Sequence, residues 1–407
     1  MGDILFLAHR VPFPPDRGDK IRSHHLLKGL ARIAPVHVGT FAETPDDRTQ
    51  KGELAAAAKT HALVERSKPL PLAGLQAIFS NRPVSLTAFD SAAMRSYVEK
   101  TIRNHSIETI FVFSGQMGQY IPSDFGGQIL VDLCDVDSAK FAAYADAGQR
   151  RWLNRREARL LACEEGRLAR RADQTLLISD AEAKLLRDQL GSPDGIDIRS
   201  LRNGIDADFF DPQGVEPTID LADAEDPQLV FTGQMDYAPN IAAVEWIIDE
   251  VMPLLRRRYA RARFHIVGRA APARLTTRHG ESGTRVWGEV PDVRPYLEAA
   301  DIVVAPLLLA RGVQNKVLEA MAMARPVLLT PSAATGIDAV DGKHFRTCAP
   351  DPALWASAIA DLFDDPAARQ EMGEAARHYV TENMSWDSVY RELAAIVSPQ
   401  ARNRNAA

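Results

Sequence analysis

"DIVVAPLLLARGVQNKVLEAMAMARPVLLT", residues 301–330, reads as strand, loop, helix and strand. That is the size of one βαβ unit. In parallel sheets, ligands collect where strand C-terminal ends meet helix N-termini. The segment puts Arg311, Gly312, Asn315 and Lys316 at the entrance of an Ala/Met-rich helix, with Glu319 inside it. Gly312 gives the backbone room to approach a ligand closely. The first N–H groups of the helix, around Val313 to Asn315, have no intrahelical acceptor and suit an anion. Arg311 and Lys316 add positive charge to an end that is already positive, and an anion there would compensate it. Lys316 and Glu319 lie three apart on one face, so Glu319 is placed to accept hydrogen bonds from a ribose diol. The competing reading is a Lys316–Glu319 surface pair worth about a few tenths of a kcal/mol.

The same alternation runs outward in both directions. "DILFLA" at the start is a continuous apolar run of the kind found in buried parallel strands. "VHVGTF", "ETIFVF" (108–113), "QILVDLCDV" (128–136) and "QTLLIS" (174–179) repeat it, with helical segments between them. Residues 200–227 break the pattern with Asp, Pro and Gly, as an interdomain connection and an acidic loop would. It restarts with "QLVFTG" (228–233), a helix for which Asn240 is the expected N-cap, "RFHIVG" (263–268), "TRVWGEV" (284–290) and the opening segment. The expectation is α/β with two doubly wound, Rossmann-like halves. Domains are expected at 1–200 and 201–384, followed by a helix over 385–400 and a disordered tail at 401–407.

Bulk properties narrow the class. A chain of 407 residues is long for one core and fits two domains. A net charge of −6 argues against nucleic acid as a partner. Cys134, Cys163 and Cys348 are widely spaced and odd in number, which favours neither disulfides nor a zinc site and suits a reducing cytoplasm. No G-x-G-x-x-G follows a strand, and neither G-x-x-x-x-G-K-[ST] nor G-x-S-x-G occurs. Arginines crowd residues 149–171, either as a solvated helix face or as a surface for an anionic acceptor or lipid headgroups.

Several stretches, taken together, resemble family 4 retaining glycosyltransferases. "ARGVQNKVLEAMAMARPVLLT" is similar to the nucleotide-binding segment of that family, E-G-F-G-x-x-x-x-E-A-M-A-x-G-x-P-V. "ISDAEAKLL" (178–186), "LRNGIDADFFDP" (201–212), "FTGQMDYAPNIAAVEWIIDEVMP" and "VWGEVPDVRPYLEAADIVVAPL" resemble its other motifs in the right order. "VPFPPDRGDKIRSHHLL" and "VDLCDVDSAKF" look similar to the sugar transferases of exosortase-associated exopolysaccharide loci. The resemblance implies a GT-B fold, two facing Rossmann-like domains with a cleft between them, and a last helix crossing back to the N-terminal domain. It implies transfer from a UDP- or GDP-linked sugar to a saccharide or lipid-linked saccharide, with retention and with neither cofactor nor metal. The cytoplasm is the expected location, and any membrane contact is expected to be peripheral, at the cytoplasmic face of the inner membrane.

Residue by residue, the resemblance assigns Gly18, Gly233, Gly268, Gly312, Val313, Asn315 and Glu319 to the donor. Arg311 and Lys316 would stabilise the departing diphosphate. Arg311 stands where the family has its first Glu, and the segment after "VFTG" lacks the usual Arg and Lys, so Arg311 and Lys316 are expected to replace those charges. Where many members have a His, this chain offers Asp135 and Asp137. Asp135 is the expected catalytic carboxylate, with a helix N-cap as its structural alternative. Arg17, Ser114, Met117 and Asp137 are expected on the acceptor side. Lys20 and Arg22 are expected as phosphate contacts or an exposed helix face. The alternatives are a nucleotide-sugar epimerase of the same fold and a non-catalytic binding subunit, the latter favoured by the missing first Glu.

Overall fold

The computed structural model describes residues 2–191, 194–221, 225–308 and 313–398. It divides into two compact units. The first runs to Asn203 and regains the chain from Val389; the second spans Gly204–Ser388.

The first unit is built on a parallel sheet of β1 (Asp3–Ala8), β2 (Val36–Ala42), β3 (Thr60–Glu65), β4 (Ile107–Phe113), β5 (Gln128–Cys134), β6 (Gln174–Leu177) and β7 (Ile198–Ser200). Their order is β3-β2-β1-β4-β5-β6-β7. Ile4 to Ala8 are all 0% exposed, because helices cover both faces of a parallel sheet. The chain winds outward from β1 to one edge and then restarts beside β1 with β4. The loops after these two strands therefore diverge, which opens a crevice at the C-terminal edge.

Helix Gly18–Ala31 packs Leu26, Leu27 and Leu30 inward. Gly29 leaves room there for the last helix, Trp386–Val397: a side chain at that glycine would come within 2.7 Å of the Tyr390 ring. The last helix is tied down further by the Gln128 amide, which donates to the Ile396 carbonyl at 3.2 Å.

The second unit repeats the plan with β8 (Gln228–Thr232), β9 (Arg263–Val267), β10 (Thr284–Gly288), β11 (Ile302–Ala305), β12 (Val327–Leu329) and β13 (Arg346–Thr347). The order β10-β9-β8-β11-β12-β13 puts its switch point between β8 and β11. Helix Ala238–Trp246 widens into a π turn, Ile247–Val251, before Met252–Leu255. The Met252 N–H reaches back to the Ile247 carbonyl. Pro253, one residue on, has no N–H and crowds the carbonyl four residues before it, which explains the wider turn.

β3, β7 and β13 are absent from the sequence patterns. All three are sheet edges. β3 is half-buried along nearly its whole length, and the other two have three and two residues. An edge strand pairs on one side only, so burial leaves it a weaker apolar signature.

Candidate functional site

A cavity of about 680 Å³ lies in the second unit at the C-terminal ends of β8, β9 and β10, against the start of helix Asn315–Ala322. This is the switch point of that sheet. Gly233, Gly268, Val313, Asn315, Lys316 and Glu319 all line it. Arg311 and Gly312 lie outside the described residues.

The two glycines are there because two strand ends meet backbone to backbone. Gly268 has φ 155°, and a side chain on it would stand 1.7 Å from the Gly233 carbonyl oxygen. Gly233, at φ 151°, donates its N–H to the Val267 carbonyl at 3.0 Å. A side chain on Gly233 would come within 3.0 Å of the Lys316 ammonium. The glycine pair thus opens a channel of bare backbone that leads to that ammonium.

Lys316 is the second residue of its helix. Its Nζ donates to Asn240 Oδ1 at 2.5 Å and sits 4.3 Å above the Phe231 ring. Burial pushes its pKa down to about 8, with Glu319 acting weakly in the other direction. Burial likewise pushes Glu319 up to about 6, against the pull of Lys316. The pair is therefore not a solvated surface pair. Both groups face the cavity, in a medium that penalises their charges.

Asn240 differs from its expected part. Tyr237 occupies the N-cap, and Asn240 is the third residue of helix Ala238–Trp246. It is buried, its amide donating to the Gln234 carbonyl at 2.8 Å while its oxygen holds Lys316. Its polar side chain is spent on positioning the lysine, not on ending the helix.

Arg269 is the cation that the sequence reading missed. It follows Gly268 directly and lines the same cavity. With its amide oxygen turned to the guanidinium, Gln234 accepts from Arg269 at 2.5 and 2.7 Å. The usual place for such charges is after the first strand, where this chain has "QMDYAPN". The visible signal was the Arg in "FHIVGRA", one strand later.

In the first unit the expected residues are dispersed. Arg17 is the exposed N-cap of helix Gly18–Ala31, its guanidinium 2.7 Å from Asp19. Gly18 is also exposed, with nothing within 4 Å of where a side chain would start, so packing does not demand a glycine there. Met117 is 0% exposed within the hydrophobic core, so its side chain is not presented to an acceptor. Its thioether fills space in that core. Ser114, at the end of β4, is buried and held at φ 76°, its N–H bonded to the Asp132 carbonyl at 2.7 Å. Positive φ at a non-glycine residue is a local strain.

Asp135 and Asp137 border a crevice of about 10 Å³, room for about one water. Asp135 is exposed and does not cap the following helix, Asp137–Asp146. Val136 holds the cap, its N–H bonded to Glu182 at 2.8 Å, and the Ser138 N–H goes to Glu165 at 2.9 Å. Burial raises the Asp137 pKa, and Asp135 adds to that effect against the opposing pull of Lys140. Lys20 and Arg22 are neither exposed nor free for phosphate. Lys20 pairs with Asp47 at 2.9 Å and Arg22 with Asp132 at 2.7 Å, all of them buried.

Asp3, His37 and His105 approach within metal-ligand reach of one another. Asp3 opens β1, at the sheet edge opposite the strand C-terminal ends. Lys59 already holds Asp3 at 2.8 Å, and both ring nitrogens of His37 have partners, Thr60 and Asp3.

Residues 226–365 match the model of the group 1 glycosyl transferases, which takes in all six strands of the second unit and the cavity. The chain is 24% identical to glycogen synthase of Mycobacterium tuberculosis over 282 residues, 66% of this chain. It spans 64% of that relative's length. It is 26% identical to D-inositol 3-phosphate glycosyltransferase of Corynebacterium diphtheriae over 352 residues, 80% of this chain and 79% of that one. Among solved structures, HepE of Anabaena in complex with UDP and glucose superposes with a TM-score of 0.62 at 14% identity, covering 98% of this chain and 100% of that one. The fold is GT-B, built from two Rossmann-like units, and the second unit carries the match to the group 1 glycosyltransferases.

Proposed function

We propose that the protein is a glycosyltransferase that moves a sugar from a UDP- or GDP-linked donor to a saccharide or lipid-linked saccharide acceptor, with retention at the anomeric carbon. The observation that carries this reading is the grouping of Lys316, Arg269 and a helix N-terminus around the Gly233–Gly268 channel, with Glu319 one turn along. The diphosphate lies in the channel, where bare backbone allows close approach and the two cations meet its charge. Glu319 accepts from the ribose hydroxyls. Arg269, rather than a cation after β8, provides the second charge.

Bond cleavage loads negative charge onto the leaving nucleoside diphosphate. Lys316 is already oriented by Asn240 and Phe231, so it stabilises that charge without rearranging. A preorganised donor of this kind contributes on the order of 3 kcal/mol to the barrier. The acceptor binds the first unit at the C-terminal end of β5, where the exposed Asp135 lies. Asp135, exposed and released from helix capping, orients the acceptor hydroxyl. No metal is needed in this scheme. The relatives' names support the reaction class, and HepE's bound UDP and glucose support the donor class.

The test is calorimetric titration of UDP- and GDP-sugars, followed by NMR of the product formed with saccharide acceptors. Binding that is lost in Lys316→Ala, and donor consumption that requires an acceptor, support transfer. Donor isomerised without acceptor points to an epimerase. Unchanged turnover in Lys316→Ala rejects the assignment.

A further inference from the structure

Helix Leu70–Ser80, "LPLAGLQAIFS", is built inside out. Only Ala73 and Ala77 are buried. Leu72, Leu75, Ile78 and Phe79 are 55%, 54%, 51% and 83% exposed, and the helix carries no charged side chain. At 100° per residue, Leu72, Leu75, Ile78 and Phe79 share one face and the two alanines share the other. A surface helix ordinarily does the reverse, and a contiguous apolar face left in water marks a contact.

A second element extends the patch. The guanidinium of Arg156, in helix Arg151–Arg171, donates to the Ala77 carbonyl at 2.6 Å, which fixes the two helices side by side. Trp152, 69% exposed, stands one turn before Arg156 and on the same stripe as Arg155 and Arg159. Leu70, Phe141 and Arg150 wall a cavity of about 380 Å³ between the start of helix Leu70–Ser80 and the first turns of helix Arg151–Arg171. Between residues 146 and 159 there are five arginines against two acids. One of these, Glu157, is buried and spent on the Val84 and Ser85 N–H groups. The chain as a whole carries −6, so this basic edge is local.

We propose that this face of the first unit docks on an anionic lipid bilayer. The Leu72–Phe79 face and Trp152 enter the interfacial layer, and Arg150, Arg151, Arg155 and Arg159 meet the headgroups. No helix among the described residues is long and apolar enough to cross a membrane, so the contact is peripheral. Charge selects this occupant over a second copy of the chain. A two-fold dimer through the face would bring the same arginines together.

Sedimentation of the full chain with vesicles of phosphatidylglycerol and phosphatidylethanolamine, against phosphatidylcholine alone, tests it. The protein pellets with the anionic vesicles and is released by salt. Phe79→Ser with Leu75→Ser lowers partitioning at least about tenfold, and Arg151→Glu or Arg155→Glu lowers it about fivefold each. These side chains are exposed, so the variants keep the wild-type melting temperature and nucleotide affinity. The proposal is overturned by equal partitioning to neutral vesicles, by binding that survives Phe79→Ser with Leu75→Ser, or by a dimer in solution that those substitutions dissociate.

Discussion

At the scale of single residues, the cavity depends on two groups whose charges burial opposes. Lys316 loses its proton from about pH 8 and Glu319 gains one below about pH 6. A diphosphate favours the ammonium and a ribose diol favours the carboxylate. On the proposed reading, affinity for a UDP- or GDP-sugar should therefore be highest between those values. Above about pH 8 it falls by up to about tenfold per pH unit, because binding must then recharge the lysine. Lys316→Met removes the alkaline limb, and Glu319→Gln removes the part of the acid limb due to the protein. Titrations across pH 5–10 check both, and an alkaline limb that persists in Lys316→Met refutes the role of the lysine. Glycines supply a paired prediction. Gly268→Ala forces its new methyl into the Gly233 carbonyl and costs at least about 1–3 kcal/mol, read as lower thermal stability and lost nucleotide binding. Gly18→Ala meets open space and changes stability by less than about 0.5 kcal/mol. Spacing alone placed Lys316 and Glu319 at the helix entrance. It could not place Arg269 or Asn240, whose roles exist only once β8 and β9 lie side by side.

Elements show why the remainder was hidden. The continuous apolar strands of both sheets were plain in the sequence, because burial on two faces leaves no polar positions. The edge strands β3, β7 and β13 were not, whereas the fourth edge, β10, was legible in "TRVWGEV". Arg22 is a sharper case: on helix Gly18–Ala31 it sits among polar residues and reads as solvated. It is 1% exposed because its partners, Asp132 on β5 and Asn203 past β7, lie 110 and 181 positions away. This pair joins the first helix to the middle of the sheet. Breaking it by Asp132→Ala leaves a buried guanidinium unpaired and should cost about 3–5 kcal/mol in denaturant unfolding. Replacing both partners together, Arg22→Met with Asp132→Leu, should recover most of that loss. A double variant no more stable than Asp132→Ala would show that the pair itself contributes the stability. The same helix start carries Arg17 and Gly18, so Arg22→Met with Asp132→Leu also separates its anchoring from any ligand contact there.

For the whole molecule, the chain path matters most. The polypeptide leaves the first unit after Asn203 and re-enters it at Val389, within helix Trp386–Val397. Leu393 is 0% exposed, and Tyr390 and Ile396 are buried beside it. The Tyr390 hydroxyl meets His25 Nδ1 at 2.6 Å. Each such apolar side chain contributes roughly 1.5–3 kcal/mol when buried. Helix Trp386–Val397 therefore stabilises the unit formed by the first part of the chain. A chain ending at Ser388 should lose the melting transition of the first unit, or lower it by well over 10 °C, while the second unit, whose core spans Ile205 to Met384, still melts cooperatively. Nucleotide provides the marker that tells the transitions apart, because its proposed contacts lie wholly in the second unit. Saturating UDP or GDP should raise one calorimetric transition by RT ln(1 + [L]/Kd), about 2.7 kcal/mol at a hundredfold excess over Kd, and leave the other in place. The same nucleotide should protect the second unit of the shortened chain equally well. A single transition that moves as one with nucleotide, in both the full and the shortened chain, would mean that the two units unfold together and that the last helix is not specific to the first.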